Sequence, residues 1–417
     1  MGPTTLSALP FKHFKSNLVE IFLPIPYHDR MNANGAQGVK TTIAIQYFLY
    51  FGVMGIFLPY FNLYCYDIGF SAFQIGTLSA ARSVVMIIFP LIWATLADRY
   101  QKRRAIYILS TFASAGLWSF FLVSTDFWPM LAIMLAYGIF YAPIIPFLEA
   151  FSMDSLGRDK PSYGRMRAWG SIAFIVMVLF MGRLIDRYSI RIILWLILTG
   201  SLLQAAFSAR IPSPGGTVNP LIGFAAGARK LCTPKMALFM GCAFLMLVSH
   251  GAYYGFFSIH LTQLGFGHTF IGLCWAVASC AEILVMIFSA RLFARFDLKS
   301  VLFFSMLAAA LRWFILSRVH GGLAIVLTQL SHALTYGTFH MASILVTDAL
   351  APVEVKTLAQ AVNNALTYGL GLMVGFLISG SLYQKMGAQA LFTASGAIAL
   401  VAALVFQGAK IHRPNTQ

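Results

Sequence analysis

Long uninterrupted apolar stretches recur along this chain, as at 41–66, 71–97 and 235–264, each followed by a short polar link. About 20 apolar residues in a helix rising 1.5 Å per residue cross the ~30 Å hydrocarbon core of a bilayer. In that medium every backbone N–H and C=O has to be bonded within the segment, which a helix does and a lone strand does not. Barrel strands would read as alternating segments of about ten residues, and these runs do not alternate. The chain is therefore expected to be an all-α integral membrane protein, and its composition, 59% hydrophobic and 10% charged, fits no water-soluble domain of 417 residues.

Marking the runs by their Gly, Pro and charged breaks gives twelve spans, near 41–66, 71–97, 105–124, 129–153, 165–185, 190–209, 235–263, 269–294, 300–317, 322–347, 356–382 and 389–407. With the N-terminus inside, 22 of the 29 Lys and Arg fall in cytoplasmic segments and 5 on the opposite side, leaving Arg82 and Arg312 well within spans. That bias places both termini in the cytoplasm, expected for a multi-pass protein of a bacterial inner membrane. It also accounts for the net charge of +16 without nucleic acid as a partner. Residues 1–40 read as a cytoplasmic extension rather than a secretory signal, since Glu20, Pro24 and Pro26 interrupt their apolar stretch; Met31 is a second candidate start. Two six-helix halves, 41–210 and 235–408, follow, joined by a turn-rich cytoplasmic linker at 211–234 and ending in a short cytoplasmic tail, 409–417. The five cysteines have no metal-type spacing and are expected to be packing residues.

The halves look related. Set against each other at a constant offset of 196, residues 67–99 and 263–295 share ten of 33 positions, among them Gly69 with Gly265, Gly76 with Gly272 and Arg99 with Arg295. Duplicated halves place a substrate site at their interface near the midplane, reached alternately from each side as they rock. That organisation is expected of a secondary transporter.

LADRYQKRR at 96–104, after the second span, resembles the signature loop of the major facilitator superfamily, with Ala94 and Gln101 standing where that pattern usually has glycine. YFGVMGIFLPYFNLY with DIGFSAFQIG, YGRMRAWGSIAF at 163–174 and HALTYGTFH resemble the phenylpropionate-permease family, related to the lactose and nucleoside proton symporters. The likeness covers roughly 41–408. It implies the major facilitator fold, two pseudo-symmetric halves, and proton-coupled symport of a small molecule without a cofactor.

Ionised side chains deep in a span cost about 2.5–3.5 kcal/mol on insertion scales, so they mark cavities or partners. Among the acids only Glu149 and Glu282 lie well within spans. Glu282 maps through the repeat onto Met86, one turn from Arg82, so the two are expected at similar depth on pseudo-symmetric helices, either as a structural ion pair or facing a cavity. Glu282, Arg312 and His332 come from three consecutive spans. The lactose permease, which the chain resembles, also draws a Glu, an Arg and a His from consecutive helices for proton coupling, although Thr335 and Tyr336 stand where it has an acid. Glu282, Arg312 and His332 are thus the proton-coupling candidates, with Glu282 or His332 as carrier.

His332, Tyr336 and His340 follow i, i+4, i+8 and are expected to share one helical face. His332 and His340 would be about 12 Å apart along the axis, too far to hold one metal ion, and no metal is expected. His332 and Tyr336 are read as cavity-lining and His340 as a gate. His250 and Tyr254 on the seventh span, Gln46 and Tyr50 on the first, and Asn363 and Asn364 on the eleventh are further candidates for substrate or for helix-to-helix hydrogen bonds. Arg82, permanently charged and forked, suits a carboxylate. A charge clasp of Asp98, Arg99, Arg103 and Arg104 with neighbouring helix ends, and an ion pair of Glu149 with Arg165 or Arg167, are expected to act as conformational gates.

These residues point to a proton-coupled uptake symporter for a small organic, possibly aromatic, carboxylic acid, working as a monomer with protons, substrate and bilayer as partners. The rivals are a sugar or nucleoside symporter, an exporter, and a membrane sensor that binds without transporting. An enzyme is not expected, because no nucleophile–base or metal cluster has suitable spacing.

Overall fold

The computed structural model describes residues 30–156, 163–211 and 229–408; the extension's first residues, most of the linker and the tail lie outside them. The first group of helices comprises α1 (Arg30–Asp67), α2 (Ala72–Tyr100), α3 (Arg103–Trp118), α4 (Phe127–Tyr141), α5 (Ile144–Leu156), α6 (Tyr163–Arg187) and α7 (Ile192–Ser208). The second comprises α8 (Pro234–Gln263), α9 (His268–Arg295), α10 (Leu298–Leu316), α11 (Gly322–Leu330), α12 (Phe339–Leu350), α13 (Lys356–Asn363) and α14 (Leu372–Gly408). Pro143 falls in the break between α4 and α5, which together make the fourth span. α14 turns at Gly387, φ 75°, so it supplies the outgoing part of the eleventh span and all of the twelfth.

Among the described residues nine helical stretches are long and apolar enough to cross a membrane, one of them the folded Val353–Gly408. The 17-residue α7 is a shorter apolar helix. The tenth span, expected to be one continuous helix, instead divides into α11, a π-helical turn at Ala333–Thr338, and α12. A second π segment, Asn364–Gly371, interrupts the eleventh. Each of the twelve expected passes thus has its helix, and no strand is found among the described residues.

Large apolar side chains such as Phe73, Leu91, Trp128, Phe180, Trp195, Phe304 and Leu404 remain exposed on the outside of the bundle, as lipid-facing surfaces require. α8 is the innermost helix: 72% of its apolar window is buried, against 33% for α2 and for α6. Three cysteines, Cys65, Cys242 and Cys274, are buried packing residues; Cys232 and Cys280 are exposed, so the packing assignment does not hold for those two.

The sequence repeat recurs in the backbone. Gly69 and Gly265, 196 positions apart, both adopt left-handed conformations, φ 94° and 86°, in the turns entering α2 and α9. Gly76 and Gly272 are both contact points between the groups. A Cβ at Gly76 would lie 2.5 Å from the Phe376 carbonyl oxygen, and one at Gly272 would lie 2.5 Å from that of Val178. Only hydrogen at these positions lets α2 meet α14, and α9 meet α6, backbone to backbone.

Those approaches lie toward the end of the bundle away from the termini, and hydrogen bonds between the groups close that end. Tyr60, which also donates to the Val178 carbonyl of its own group at 2.9 Å, donates across to that of His268 at 3.3 Å, and Gln384 accepts from the Phe73 N–H at 3.0 Å. Asp186, in the last turn of α6, accepts from the His268 and Thr269 backbone N–H groups (both 2.8 Å), the Thr269 hydroxyl (2.6 Å) and His268 Nδ1 (2.8 Å). A carboxylate at a helix C-terminus opposes its own helix dipole, whereas at another helix's N-terminus it is favourable. Asp186 is therefore placed to serve α9, not α6.

At the terminal end, among the described residues, one ion pair runs from the linker, Lys230 with Glu354 at 3.8 Å, and others lie within one group. Asp98 and Arg103 pair at 3.0 Å, Arg103 reaches Asp154 at 3.8 Å, and Lys356 pairs with Asp348 at 2.6 Å. The bundle is closed at the far end.

Asp186→Ala should loosen that closure. With Cys232 and Cys280 changed to Ser, a cysteine replacing Asn62 should react several-fold faster with a maleimide in the Asp186→Ala protein. Equal rates would show that the Asp186 cap does not hold the end shut.

Candidate functional site

The most concentrated polar cluster inside the bundle is built on Arg312 of α10, 1% exposed among apolar helices. A buried guanidinium needs acceptors, and the neighbouring span supplies them. Arg312 Nη2 donates to Gln329 Oε1 at 2.7 Å; Nη1 donates to Thr335 Oγ1 at 3.2 Å and to His332 Nδ1 at 2.6 Å. The ring faces of Tyr253 and Trp313 lie 4.5 and 4.8 Å from its Cζ, adding cation–π contact. Tyr253 also donates to Gln329 Oε1 at 3.1 Å, so α8, α10 and α11 meet at one amide oxygen.

Guanidinium is a donor only, so His332 Nδ1 has to be the acceptor in this contact. The imidazole is then neutral with its hydrogen on Nε2, which lies 2.7 Å from Glu282 Oε1 on α9. The result is one directed chain from Arg312 through His332 to Glu282. His332 is buried at 4% side-chain exposure, whereas Glu282 keeps 21%.

The π turn is part of this geometry. Wide turns of this kind inside α-helices recur at functional sites. Here one begins directly after His332 and carries Thr335 and Tyr336. The expected row of His332, Tyr336 and His340 does form, but across the π turn and not on a regular helical face. His332 and Tyr336 stack at 5.4 Å, Tyr336 and His340 at 5.9 Å, and His340 Nδ1 lies 2.6 Å from the Tyr368 hydroxyl in the second π segment.

Arg82 of α2 is not the partner of Glu282. Its Nη2 lies 3.9 Å from Met54 Sδ and its Cζ 4.6 Å from the Phe57 ring, while its Nε is buried with no hydrogen-bond partner among the described residues. It opens on a cleft between the groups lined by Phe57, Phe61, Asn62, Ser79, Met134 and Tyr254. A cation beside aromatic walls, with an unmet donor, suits an anion that has an apolar body. His250 and Tyr254 of α8 link this cleft to the Arg312 cluster, their rings lying 6.4 and 6.5 Å from that of His332.

Other candidates lie elsewhere. Gln46 donates to the Gln204 carbonyl at 3.0 Å and accepts from Tyr107 at 2.9 Å; it braces α1 against α7 and α3, fully buried, and does not line the cleft. Tyr50 stacks on Tyr141 at 5.3 Å. Asn363 is occupied by Ser343 and Thr367, each at 3.1 Å, and Asn364 is exposed. Of the two arginines expected to pair with Glu149, Arg165 and Arg167, Arg167 lies over the Phe51 ring at 3.9 Å, still within electrostatic reach of the exposed Glu149. In the clasp, Arg103 bridges Asp98 and Asp154, while Arg104 donates to the Ile211 and Ala209 carbonyls at 2.6 and 2.7 Å, gripping the end of α7. Arg99 lies over Tyr100 at 5.7 Å. Sequence reasoning missed Gln329, although an amide one turn before His332 in an apolar span was a signal. It also missed Asp186 and His268, whose partners lie far apart in the chain.

The family model described as MFS_1 like family matches residues 40–394. A relative from Escherichia coli (strain K12), the probable 3-phenylpropionic acid transporter, is 27% identical over 348 residues, 83% of this chain and 91% of that one. The maltose permease of Geobacillus stearothermophilus is 24% identical, covering 86% of this chain and 92% of its own length. Among solved structures, the nucleoside transporter NupG superposes with a TM-score of 0.79 at 18% identity, covering 90% of this chain and all of that one.

Gln329→Leu would strip Arg312 Nη2 and the Tyr253 hydroxyl of their shared acceptor. The expected cost is about 1–3 kcal/mol, read as a lower melting temperature of the purified protein in detergent. An unchanged melting temperature would mean that this amide does not hold the cluster.

Proposed function

Since the chain belongs to the MFS_1 like family of membrane transporters, we propose that it is a proton-coupled symporter carrying a small organic acid, an aromatic acid in particular, by alternating access. The observation that carries the coupling is the chain of contacts from Arg312 through His332 to Glu282, 2.6 and 2.7 Å, deep between the helices. Arg312 occupies His332 Nδ1, so the imidazole does not take up a second proton while the contact lasts. A proton entering the cluster goes to the partly exposed Glu282 carboxylate, which makes Glu282 the carrier and His332 the neutral spacer. Neutralising Glu282 removes the charge that His332 Nε2–H points toward, and so couples protonation to the packing of α9 against the π turn. Arg312 restores the ionised form when the cluster closes again.

The acid's carboxylate sits on Arg82, with its apolar body among Phe57, Phe61 and Met134. The phenylpropionic acid transporter among the relatives supports this choice. Asn62 and Ser79, hydrogen-bonded to each other at 3.2 Å, and the maltose and nucleoside relatives support the rival reading of a sugar or nucleoside. In this proposal the closed end faces outward, both termini are cytoplasmic, the membrane is a bacterial inner membrane, and the protein works as a monomer. One proton with one carboxylate carries no net charge, so a pH gradient drives uptake and the membrane potential does not drive it directly.

The test uses lightly buffered suspensions of de-energised vesicles, to which phenylpropionate, a sugar and a nucleoside are added in turn. Alkalinisation with phenylpropionate alone supports the proposal; alkalinisation with a sugar or nucleoside alone moves the substrate to the rival class. Clamping the potential with potassium and valinomycin should leave the initial rate of uptake unchanged. Glu282→Gln should abolish uphill accumulation while leaving exchange of preloaded substrate, and a mutant that still accumulates would remove Glu282 from the carrier role.

A further inference from the structure

His250 lies midway along α8, wholly buried, between the Arg82 cleft and the Arg312 cluster. Its Nδ1 is 2.8 Å from the Met246 carbonyl oxygen, one turn back on the same helix. A carbonyl only accepts, so Nδ1 carries the hydrogen and, in the neutral ring, Nε2 is a bare acceptor. Among the described residues no carboxylate lies against the ring to balance a cationic form; its neighbours include Trp313 at 5.1 Å, Tyr336 at 6.2 Å, Tyr254 at 6.3 Å and His332 at 6.4 Å, with Ser249 Oγ 3.5 Å from Nδ1. Nε2 has no hydrogen-bond partner among the described residues. A buried acceptor left without a donor costs about 1–3 kcal/mol, a cost that a ligand supplying the donor removes.

Tyr254 belongs to both places: it lines the Arg82 cleft and its ring packs beside His250. These two unmet groups are complementary in kind, a cationic donor at Arg82 and a neutral acceptor at His250, with the Tyr254 ring beside His250 and on the wall of the Arg82 cleft. A molecule spanning them has an anion at one end, an apolar ring in the middle and a hydroxyl donor at the other end. Resting on the organic-acid reading above, we infer that the preferred substrate is a hydroxyaryl-alkanoate whose hydroxyl donates to His250 Nε2. His250 is the specificity-determining residue, and an acid without the hydroxyl binds with that nitrogen still unpaired. Sites built to hydrogen-bond a hydroxyl discriminate strongly against analogues that lack it.

The test compares 3-phenylpropionate with its 3-hydroxyphenyl and 4-hydroxyphenyl analogues, by binding to the purified full-length protein and by competition for uptake. At least one hydroxylated acid should bind about tenfold or more tightly than phenylpropionate. His250→Leu should erase that difference while keeping phenylpropionate affinity within a few-fold, and the retained affinity reports that the variant is folded. Equal affinities for all three acids in the unmutated protein would overturn the inference and leave the organic-acid reading standing. A preference that survives in His250→Leu would also overturn it. Binding of none of the acids, with binding of a sugar or nucleoside, would overturn both.

Discussion

A permanent cation enclosed among apolar helices needs acceptors, and the second group of helices supplies them to Nη1 and Nη2 of Arg312, while its Nε has no hydrogen-bond partner among the described residues. The guanidinium recruits the Gln329 amide, the Thr335 hydroxyl and one nitrogen of His332 from a single neighbouring span, with two aromatic faces closing over it. Gln329, His332 and Thr335 are spaced three apart, so they follow one stripe of the span, and a π turn starts directly after His332. Backbone irregularity is tolerated at membrane depth only where it is buried in protein or lines a cavity, and here Ala333, Thr335, Gly337 and Thr338 are buried. The tautomer of His332, and with it the direction of the contact to Glu282, follows from the donor-only chemistry of Arg312.

The contact surfaces between the groups are of another kind. α2 against α14 and α9 against α6 meet through glycines, backbone to backbone, with few long side chains to disentangle. The Arg312 cluster, by contrast, lies wholly within one group, beside that seam. Arg82 is on the other side of that seam, so a ligand touching both Arg82 and Tyr254 is sensitive to whether the groups are together.

Much of this was legible in order of physical strength. Bilayer thickness is an unforgiving ruler, so the spans, the link positions and the helical class could be read from the apolar runs alone. The offset of 196 was visible because glycines tolerate no substitute where backbones touch or φ is positive, and Gly69, Gly76, Gly265 and Gly272 occupy such places. That Glu282 and Arg312 would lie inside the bundle followed from the cost of burying charge, and they meet there through His332. Less was legible where several partners were available: Gln46 and Asn363 looked equally able to meet a ligand or a helix, and both are taken by helices. Arg165 or Arg167 was expected to pair with Glu149, and the stacking of Arg167 on Phe51 was not foreseen.

By itself, the sequence determined that this chain spans a membrane as a duplicated helical bundle and which few charges lie inside it, because hydrocarbon punishes every unpaired polar group and leaves a clear trace in one dimension. Only the tertiary structure decided who pairs with whom. Arg312 reaches His332 rather than Glu282 directly, Arg82 stands apart in an aromatic cleft, Asp186 caps a helix more than 80 positions away, and two π segments interrupt spans that read as continuous. Those outcomes depend on angles and distances between helices, set by the packing of many small contacts at once, and no local run of residues encodes them.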